Sequence, residues 1–157
     1  MAPLVMPATP GFRNSHFSLQ ARSQTHTSPL TGTVQTLELP GAVWQVKYEL
    51  PPMKRPLAAP WTAFLVNLMG EDGRFFGFDP DARVPLGSYD QALDTPLVAG
   101  AAQTGATLNT DGWRINQTAL LLPGDYFELT EDTKKRIHMM TANAGSGGAG
   151  AATLSFK

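Results

Sequence analysis

The sequence has 157 residues and a formal net charge of −1, from 12 basic and 13 acidic side chains. Its length suits one domain with a sizeable core, and its one run of basic residues, Lys134–Arg136, is too short to suggest a sequence-specific nucleic-acid partner. The absence of cysteine excludes a disulfide framework, a zinc–thiolate site and a cysteine nucleophile.

The N-terminal segment predicts an extended arm. Met1 to Gly11 contain three prolines and show no periodicity, so we expect residues 1–14 to form an arm rather than a folded element. The start of the chain lacks the basic residues and apolar run of a signal peptide, and no window approaches the roughly 18 apolar residues of a membrane span. The sequence therefore predicts a soluble protein, assembled in a cytoplasm, with no membrane partner.

Alternating apolar and polar residues predict three strands in the first third of the chain, at Ser15–Arg22, Thr33–Leu39 and Val43–Leu50. The intervening Ser23–Gly32 is polar and predicts a loop. Pro40-Gly41 predicts a turn. We therefore expect the second and third strands to pair as an antiparallel hairpin.

One helix is predicted with clear periodicity. Four apolar residues at i, i+3, i+4 and i+7 share one helix face and predict its burial: Trp61, Phe64, Leu65 and Leu68. Pro60 suits a first helical position and Gly70 a left-handed stop. The predicted helix runs from Pro60 to Met69 and is expected to cover the sheet.

The rest of the chain predicts short strands and turns. Glu71–Gly73 predicts a turn, Arg74–Phe78 a strand and Asp81–Asp94 a long surface connection. Later turn signals separate seven further strand segments: Pro96–Ala102, Ala106–Thr110, Trp113–Ile115, Leu120–Leu122, Asp125–Thr130, Arg136–Ala142 and Ala151–Phe156. A further turn is predicted at Glu131–Lys135.

Together these patterns predict a mainly β (α+β) fold of about ten short strands, as an antiparallel β-sandwich or barrel with one helix packed on the sheet. We expect residues 15–157 to form a single β-rich domain. If a subdomain boundary exists, the change in character of the sequence places it near residues 85–96.

The histidines and carboxylates do not form a recognisable catalytic or metal-binding motif. His16, His26 and His138 lack the short spacing of a zinc site, so structural or surface roles are expected. Four carboxylates on either side of one predicted strand suggest a divalent-cation site: Glu71, Asp72, Asp79 and Asp81. They lack the ligands at alternate positions that a calcium-binding loop needs, so a role in turns explains them better.

The glycine-rich segment Gly145–Gly150, GSGGAG, lacks the Gly-Lys-Ser/Thr ending of a phosphate loop and lies between predicted strands. It predicts a flexible hairpin tip. No GxSxG, SxxK or HExxH motif occurs. We therefore expect no catalytic residue, metal or cofactor, and do not expect an enzyme.

Four segments together resemble a family of tail proteins of long-tailed bacteriophages, most similar to distal tail or minor tail proteins: LPPMKRPLAAPWTAFLVNLMGEDGRFFGFDPDARVPLG, VAGAAQTGATLNTDGW, LLLPGDYFEL and RIHMMTANAGSGGAGAATLSF. The resemblance covers about Val43 to Phe156. It implies a tail-tube-like β domain in the virion tail, assembled into a usually hexameric ring. The implied partners are copies of the chain, the tail-tube protein, and hub and fibre proteins, with the genome passing through the lumen.

By their position in the first of these segments, Met53, Lys54 and Arg55 are expected to contact a neighbouring subunit or the lumen. The alternative is that they form a solvated approach to the helix. Only 16% of the residues are charged, and a charge-poor surface fits a subunit covered by neighbours as well as it fits a neutral monomer.

Two other functions remain open from the sequence. Within the same class, the chain could be a tail-tube, tail-completion or head–tail connector protein. From a different class, it could be a carbohydrate-binding β-sandwich module that stacks Trp44, Trp113 and Tyr126 on sugar rings. Such a module should be monomeric and expose an aromatic platform, whereas a ring subunit should oligomerise.

Overall fold

The computed structural model describes residues 3–70, 72–130, 132 and 136–157. In these residues the chain is mainly β with antiparallel sheets and one α-helix, as predicted. The elements in chain order are β1 (Asn14–Thr27), β2 (Val34–Glu49), α1 (Arg55–Leu68), a 3-10 helix (Pro80–Ala82), β3 (Leu97–Val98), β4 (Thr107–Asp111), β5 (Tyr126–Glu128), β6 (Ile137–Met139) and β7 (Ala152–Ser155).

The described strands form three sheets, with the orders β1-β2, β3-β4-β7 and β5-β6. The finer prediction of a sandwich or barrel is therefore not confirmed. Glu71, Glu131 and residues 133–135 lie outside the described residues, and with them part of the predicted turns at Glu71–Gly73 and Glu131–Lys135 and most of the basic run.

The chain divides into two compact units, Met1–Asp81 and Ala82–Lys157, which we call unit 1 and unit 2. The division falls just ahead of the subdomain boundary predicted near residues 85–96. Each unit has its own cluster of buried apolar residues. The expectation that residues 15–157 form a single domain stays a prediction.

Unit 1 contains a long antiparallel hairpin. β1 and β2 pair from Asn14 opposite Glu49 to Thr27 opposite Val34, so much of the predicted Ser23–Gly32 loop is strand. Pro40-Gly41 lies inside β2 rather than at a turn. The predicted turn there, and the pairing of the two segments on either side of it, are therefore wrong.

A β-bulge explains how β2 accommodates this proline. Gln20 pairs with Val43 and Arg22 pairs with Leu39, so three residues of β2 lie opposite one residue of β1. Proline cannot donate to a strand ladder and is tolerated at a bulge. Gly41 supplies the positive φ of 100° that the distortion needs.

The helix starts earlier than predicted and ends where expected. Lys54 is the N-cap residue, and Pro56 occupies the favoured proline position near the start that the sequence assigned to Pro60. Pro60 lies inside α1. The helix stops at Met69, which adopts a left-handed conformation with a φ of 49° and donates its N–H to the carbonyl of Val66 at 3.1 Å.

The core of unit 1 lies under one face of α1. Trp61, Phe64 and Leu68 are buried as predicted, but Leu65 is 62% exposed, so its predicted burial is wrong. At about 100° per residue, Phe64, Leu68 and Trp61 span a buried stripe of about 60°, and Leu65 lies about 40° beyond the Trp61 edge of that stripe.

The buried face of α1 packs on the N-terminal arm and on residues flanking the strands, rather than on a sheet face. The partly buried residues against it are Leu4, Met6, Phe12, Leu50 and Met53. The arm is held by a 2.7 Å hydrogen bond from the Leu4 N–H to the Arg74 carbonyl and a 3.0 Å bond from the Trp61 indole to the Thr9 carbonyl. The predicted strand at Arg74–Phe78 is reduced to a single parallel bridge between Phe75 and Leu4.

Unit 2 has a separate core in which Leu120 and Met140 are almost fully buried. The remaining buried members are Leu108, Trp113, Leu121, Ala144, Ala152 and Leu154. The predicted strands at Ala106–Thr110, Asp125–Thr130, Arg136–Ala142 and Ala151–Phe156 correspond to β4, β5, β6 and β7. Trp113–Ile115 is not a strand, and Leu120–Leu122 makes only an isolated bridge from Leu121 to Ala144.

Candidate interaction surfaces

The three histidines are far apart in the sequence or differ in burial, and they form no common site in the contacts described. His16 and His26 are exposed on β1, whereas His138 is half-buried on β6, stacked on Phe127 at 5.4 Å and edge-on to Phe156 at 4.8 Å. Burial, followed by the nearby positive charge of Arg136, lowers the pKa of His138. These contacts give His138 a packing role.

The carboxylates near Pro80 make one local contact and one long-range contact. Asp79 accepts a 3.1 Å hydrogen bond from the N–H of Asp81, which is the arrangement expected for a turn-forming aspartate. Asp81 accepts a 3.2 Å bond from the hydroxyl of Ser15 on β1, 66 residues away in the chain. Within the ranges that the structure describes, no group of three or more His, Asp or Glu side chains is placed to hold a metal ion.

Unit 2 contains a buried ion pair that no sequence pattern predicted. Asp94 is 2% exposed and contacts the Arg114 guanidinium at 3.1 Å, while Arg114 also donates to the carbonyl of Ser88. Burial alone would raise the pKa of Asp94. Hydrogen bonds from Arg114 and from the Asp90 N–H outweigh that effect, so the pKa lies below its ordinary value of 3.8.

A second buried carboxylate, Asp125, is 4% exposed and binds only backbone groups in the contacts described. Its oxygens accept from the N–H groups of Leu86 at 2.7 Å, Gly87 at 3.3 Å and Leu122 at 2.8 Å. These bonds fix part of the predicted surface connection Asp81–Asp94 to the core of unit 2. Both carboxylates are therefore occupied by structural contacts.

The glycine-rich segment is packed at its two ends and exposed at a turn in its middle, residues 147–149. A Cβ on Gly145 would lie 2.6 Å from the carbonyl oxygen of Gln117, and one on Gly150 would lie 2.5 Å from that of Trp113. Between them, the buried Ser146 donates its hydroxyl to the carbonyl of Arg114. Glycine is therefore needed at positions 145 and 150, where the chain passes close to another backbone segment.

Among the aromatic residues proposed for sugar binding, Trp113 of unit 2 has no exposed ring face on which a sugar could stack. Trp113 is 6% exposed, packs in the unit 2 core and donates its indole N–H to the Thr110 hydroxyl at 2.8 Å. Trp44 is half-buried on β2 in unit 1, and Tyr126 is half-buried on β5. The burial of Trp113 removes one of the three residues of the proposed sugar-binding platform.

One exposed feature of unit 1 is the part of the hairpin beyond Leu19, residues 20–43, which we call the distal hairpin. All of its residues are exposed except Ser28, which is half-buried. The exposed residues include Leu30, Val34, Leu37, Leu39 and Val43. Among the described strands, β1 and β2 pair only with each other, so each has an outer edge without a strand partner.

The second feature is the side of α1 that points away from the core, which we call the outward face. It forms an open, shallow groove of about 490 Å³ lined by Arg55, Ala58, Ala59, Thr62, Ala63, Val66 and Asn67. Val66 is 69% exposed. A surface helix would normally carry charged side chains here.

The three residues expected at a subunit interface have different surroundings in the structure. Met53 is half-buried and packs on the core of unit 1. Lys54 is exposed, and its carbonyl accepts the N–H groups of Leu57 at 3.0 Å and Ala58 at 3.1 Å. Arg55 is exposed at one end of the outward face. The structure thus makes Met53 a packing residue, and the interface role of all three stays a prediction.

Among the described residues, α1 is too short to cross a membrane, and no other helix is long and apolar enough to do so. No protein-family model matches the chain, and no curated protein is significantly similar to it.

Proposed function

We propose that this protein is a non-enzymatic structural subunit of a phage tail tip, and that its copies form a ring joining the tail tube to the baseplate or hub. The sequence motifs support the tail assignment by resemblance, and that resemblance suggests a hexamer. The single structural observation that favours assembly is the exposed distal hairpin.

A hairpin of this length needs more support than unit 1 gives it. At roughly 3.3 Å per residue, the 14 residues of β1 extend about 46 Å. A two-stranded ribbon is only marginally stable in water, and open strand edges tend to pair with other chains. The exposed Leu37, at 62%, and Val34, at 61%, add apolar surface that favours coverage.

Pairing between copies would give the open strand edges a partner and would cover the exposed apolar side chains. If the outer edge of β1 in one copy pairs with the outer edge of β2 in the next, every copy makes the same head-to-tail contact. A head-to-tail contact closes into a ring when its rotation is a whole fraction of a turn. Closure pairs both edges of every hairpin and leaves a central passage.

Electron microscopy of the purified protein tests ring formation. We expect rings for the native sequence and loss of rings for Leu37→Lys, because a lysine on an exposed strand opposes pairing. The matched control is Leu93→Lys, since Leu93 is 61% exposed in unit 2. The proposal fails if the native protein is monomeric, or if both lysine variants assemble equally well.

The position of the chain in an intact particle separates the proposals within this class. A tail-tip ring predicts density for this chain between the tube and the fibres. Density along the whole tube would favour a tail-tube protein, and density at the head would favour a completion or connector protein. The carbohydrate-binding alternative gains no support from the buried Trp113.

A further inference from the structure

The composition of α1 is unusual for a surface helix. Its 14 residues, RPLAAPWTAFLVNL, contain one charged side chain, Arg55. A helix that is apolar on all sides is normally buried on all sides. Only the face with Trp61, Phe64 and Leu68 is buried within the chain, so the other side has the composition of a buried surface without its cover.

The charges at the two ends of α1 are also arranged unfavourably within one copy. Lys54 and Arg55 lie at the N-terminal end, no acidic residue lies in the first turn and no basic residue lies in the last turn. Helix dipoles favour acidic groups at the N-terminus and basic groups at the C-terminus. A partner that brings a basic group to the last turn supplies the favourable charge that this end lacks within one copy.

We propose that two copies of this chain pair through the outward faces of α1, with the helices antiparallel about a two-fold axis. Reversal of the helix direction brings Arg55 of each copy to the C-terminal turn of the other, beside Asn67. The same operation places Ala59 of one copy next to Ala63 of the other. Each copy therefore supplies the basic group that the C-terminal turn of the other lacks, and small side chains lie opposite small side chains.

The side chains on this face permit close packing. Alanines at positions 58, 59 and 63 form the floor of the groove, so two helices can approach to the lower end of the usual range of about 8–10 Å. The helix extends about 21 Å at 1.5 Å per residue, and the lining runs from Arg55 to Asn67, almost its full length. This contact is two-fold and is distinct from the head-to-tail contact proposed for the hairpin.

Light scattering of the full chain tests this pairing through Ala59→Glu. Position 59 is exposed and glutamate is a good helix former, so the variant should keep the far-UV circular dichroism of the native protein. Each glutamate would be buried against Ala63 of the other copy without a basic partner opposite it there, and this cost should separate the copies and halve the native mass. Ala101→Glu, which places the same charge on an exposed alanine of unit 2, should leave the mass unchanged.

Combination with Leu37→Lys separates this proposal from the ring. If both contacts exist, Leu37→Lys alone should yield dimers, and Leu37→Lys with Ala59→Glu should yield monomers. Monomers from Leu37→Lys alone, or a native mass that Ala59→Glu does not reduce, would overturn the helix pairing even if rings form. Dimers without rings in the native protein would support the pairing and contradict the ring.

Disulfide trapping tests the register. The native chain has no cysteine, so a single introduced cysteine can crosslink only to another copy. A mixture of Ala59→Cys and Ala63→Cys copies should form mixed dimers faster than Ala101→Cys copies, which carry the thiol on an exposed alanine of unit 2, outside both proposed contacts, and report random collision. Equal rates for the two experiments would contradict the antiparallel register.

Discussion

At the scale of single residues, Asp125 makes the clearest contribution to stability. It is buried and accepts three backbone N–H groups, from Leu86, Gly87 and Leu122. Removal of a buried acceptor leaves its donors unsatisfied, which costs about 1–3 kcal/mol for each group that cannot reach water.

We therefore expect Asp125→Ala to lower the free energy of unfolding of unit 2 by about 3 kcal/mol. Urea denaturation followed by circular dichroism measures this change. Asp111→Ala, which removes an exposed aspartate in the same unit, should change the free energy by no more than about 0.5 kcal/mol. Similar losses for the two variants would show that the Asp125 contacts are not stabilising.

Asp94 predicts a pH dependence with a definite sign. Its pKa in the folded protein lies below the ordinary value of 3.8, so near that pH the unfolded chain binds more protons than the folded chain. The stabilisation from ionised Asp94 is therefore present above pH 3.8 and is lost as the pH falls from there through the folded pKa.

The check is the urea midpoint of the native protein and of Asp94→Asn, measured from about pH 6 down to about pH 3. The asparagine variant should be less stable at the upper end and should lose less stability over the acidic range. Parallel pH curves for the two proteins would contradict the role assigned to the Arg114 ion pair.

The sequence could not reveal these two carboxylates because their partners are distant in the chain. Arg114 follows Asp94 by 20 residues, and Leu86 precedes Asp125 by 39. Local partners exist only for two bonds, from the Leu122 N–H to Asp125 and from the Asp90 N–H to Asp94, since aspartate often bonds to a backbone N–H three or four residues away. The remaining bonds require the fold to be known.

At the scale of elements, α1 distinguishes a buried position from an exposed neighbour of the same type. Leu68 is 8% exposed and Leu65 is 62% exposed. Leu68→Ala should cost about 2–5 kcal/mol because it leaves a cavity beside Trp61 and Phe64. Leu65→Ala should stay within about 0.5 kcal/mol. Thermal unfolding of the two variants compares them directly, and equal losses would argue for burial of both leucines.

Element types were easier to predict than element boundaries. Periodicity identified α1 and its stop at Met69, but two prolines, Pro56 and Pro60, both fitted the start. In the hairpin, Pro40-Gly41 carries a strong turn signal that is local to the sequence, and cross-strand pairing with β1 overrides it through a bulge. The N-terminal arm was predicted, but its packing under α1 depends on long-range contacts.

At the scale of the whole molecule, each unit has its own apolar core, and this predicts that unit 2 can fold alone. A fragment of residues 82–157 keeps all eight buried members of its cluster. We expect it to unfold cooperatively in urea and to be destabilised by Asp125→Ala to the same extent as the full chain. A fragment without a cooperative transition would favour the single domain predicted from the sequence.

The mainly β character and the separate strand-rich halves were predictable from alternation and turn residues, whereas the distribution of strands among three sheets was not. Strand pairing depends on which segments meet in space. The interaction surfaces were only partly predictable. Low charge was as compatible with a covered surface as with a neutral monomer, and Arg55 was named as an expected contact, but the exposure of the distal hairpin and of the outward face follows from the fold.

The placement of the tryptophans gives each unit an intrinsic optical reporter. Trp61 is 7% exposed in unit 1 and Trp113 is 6% exposed in unit 2, and the third indole, Trp44, is half-buried on the hairpin. Indole fluorescence shifts to longer wavelength when the ring enters water. Variants that keep only Trp61 or only Trp113 would therefore allow the melting of either core to be timed separately within one intact chain.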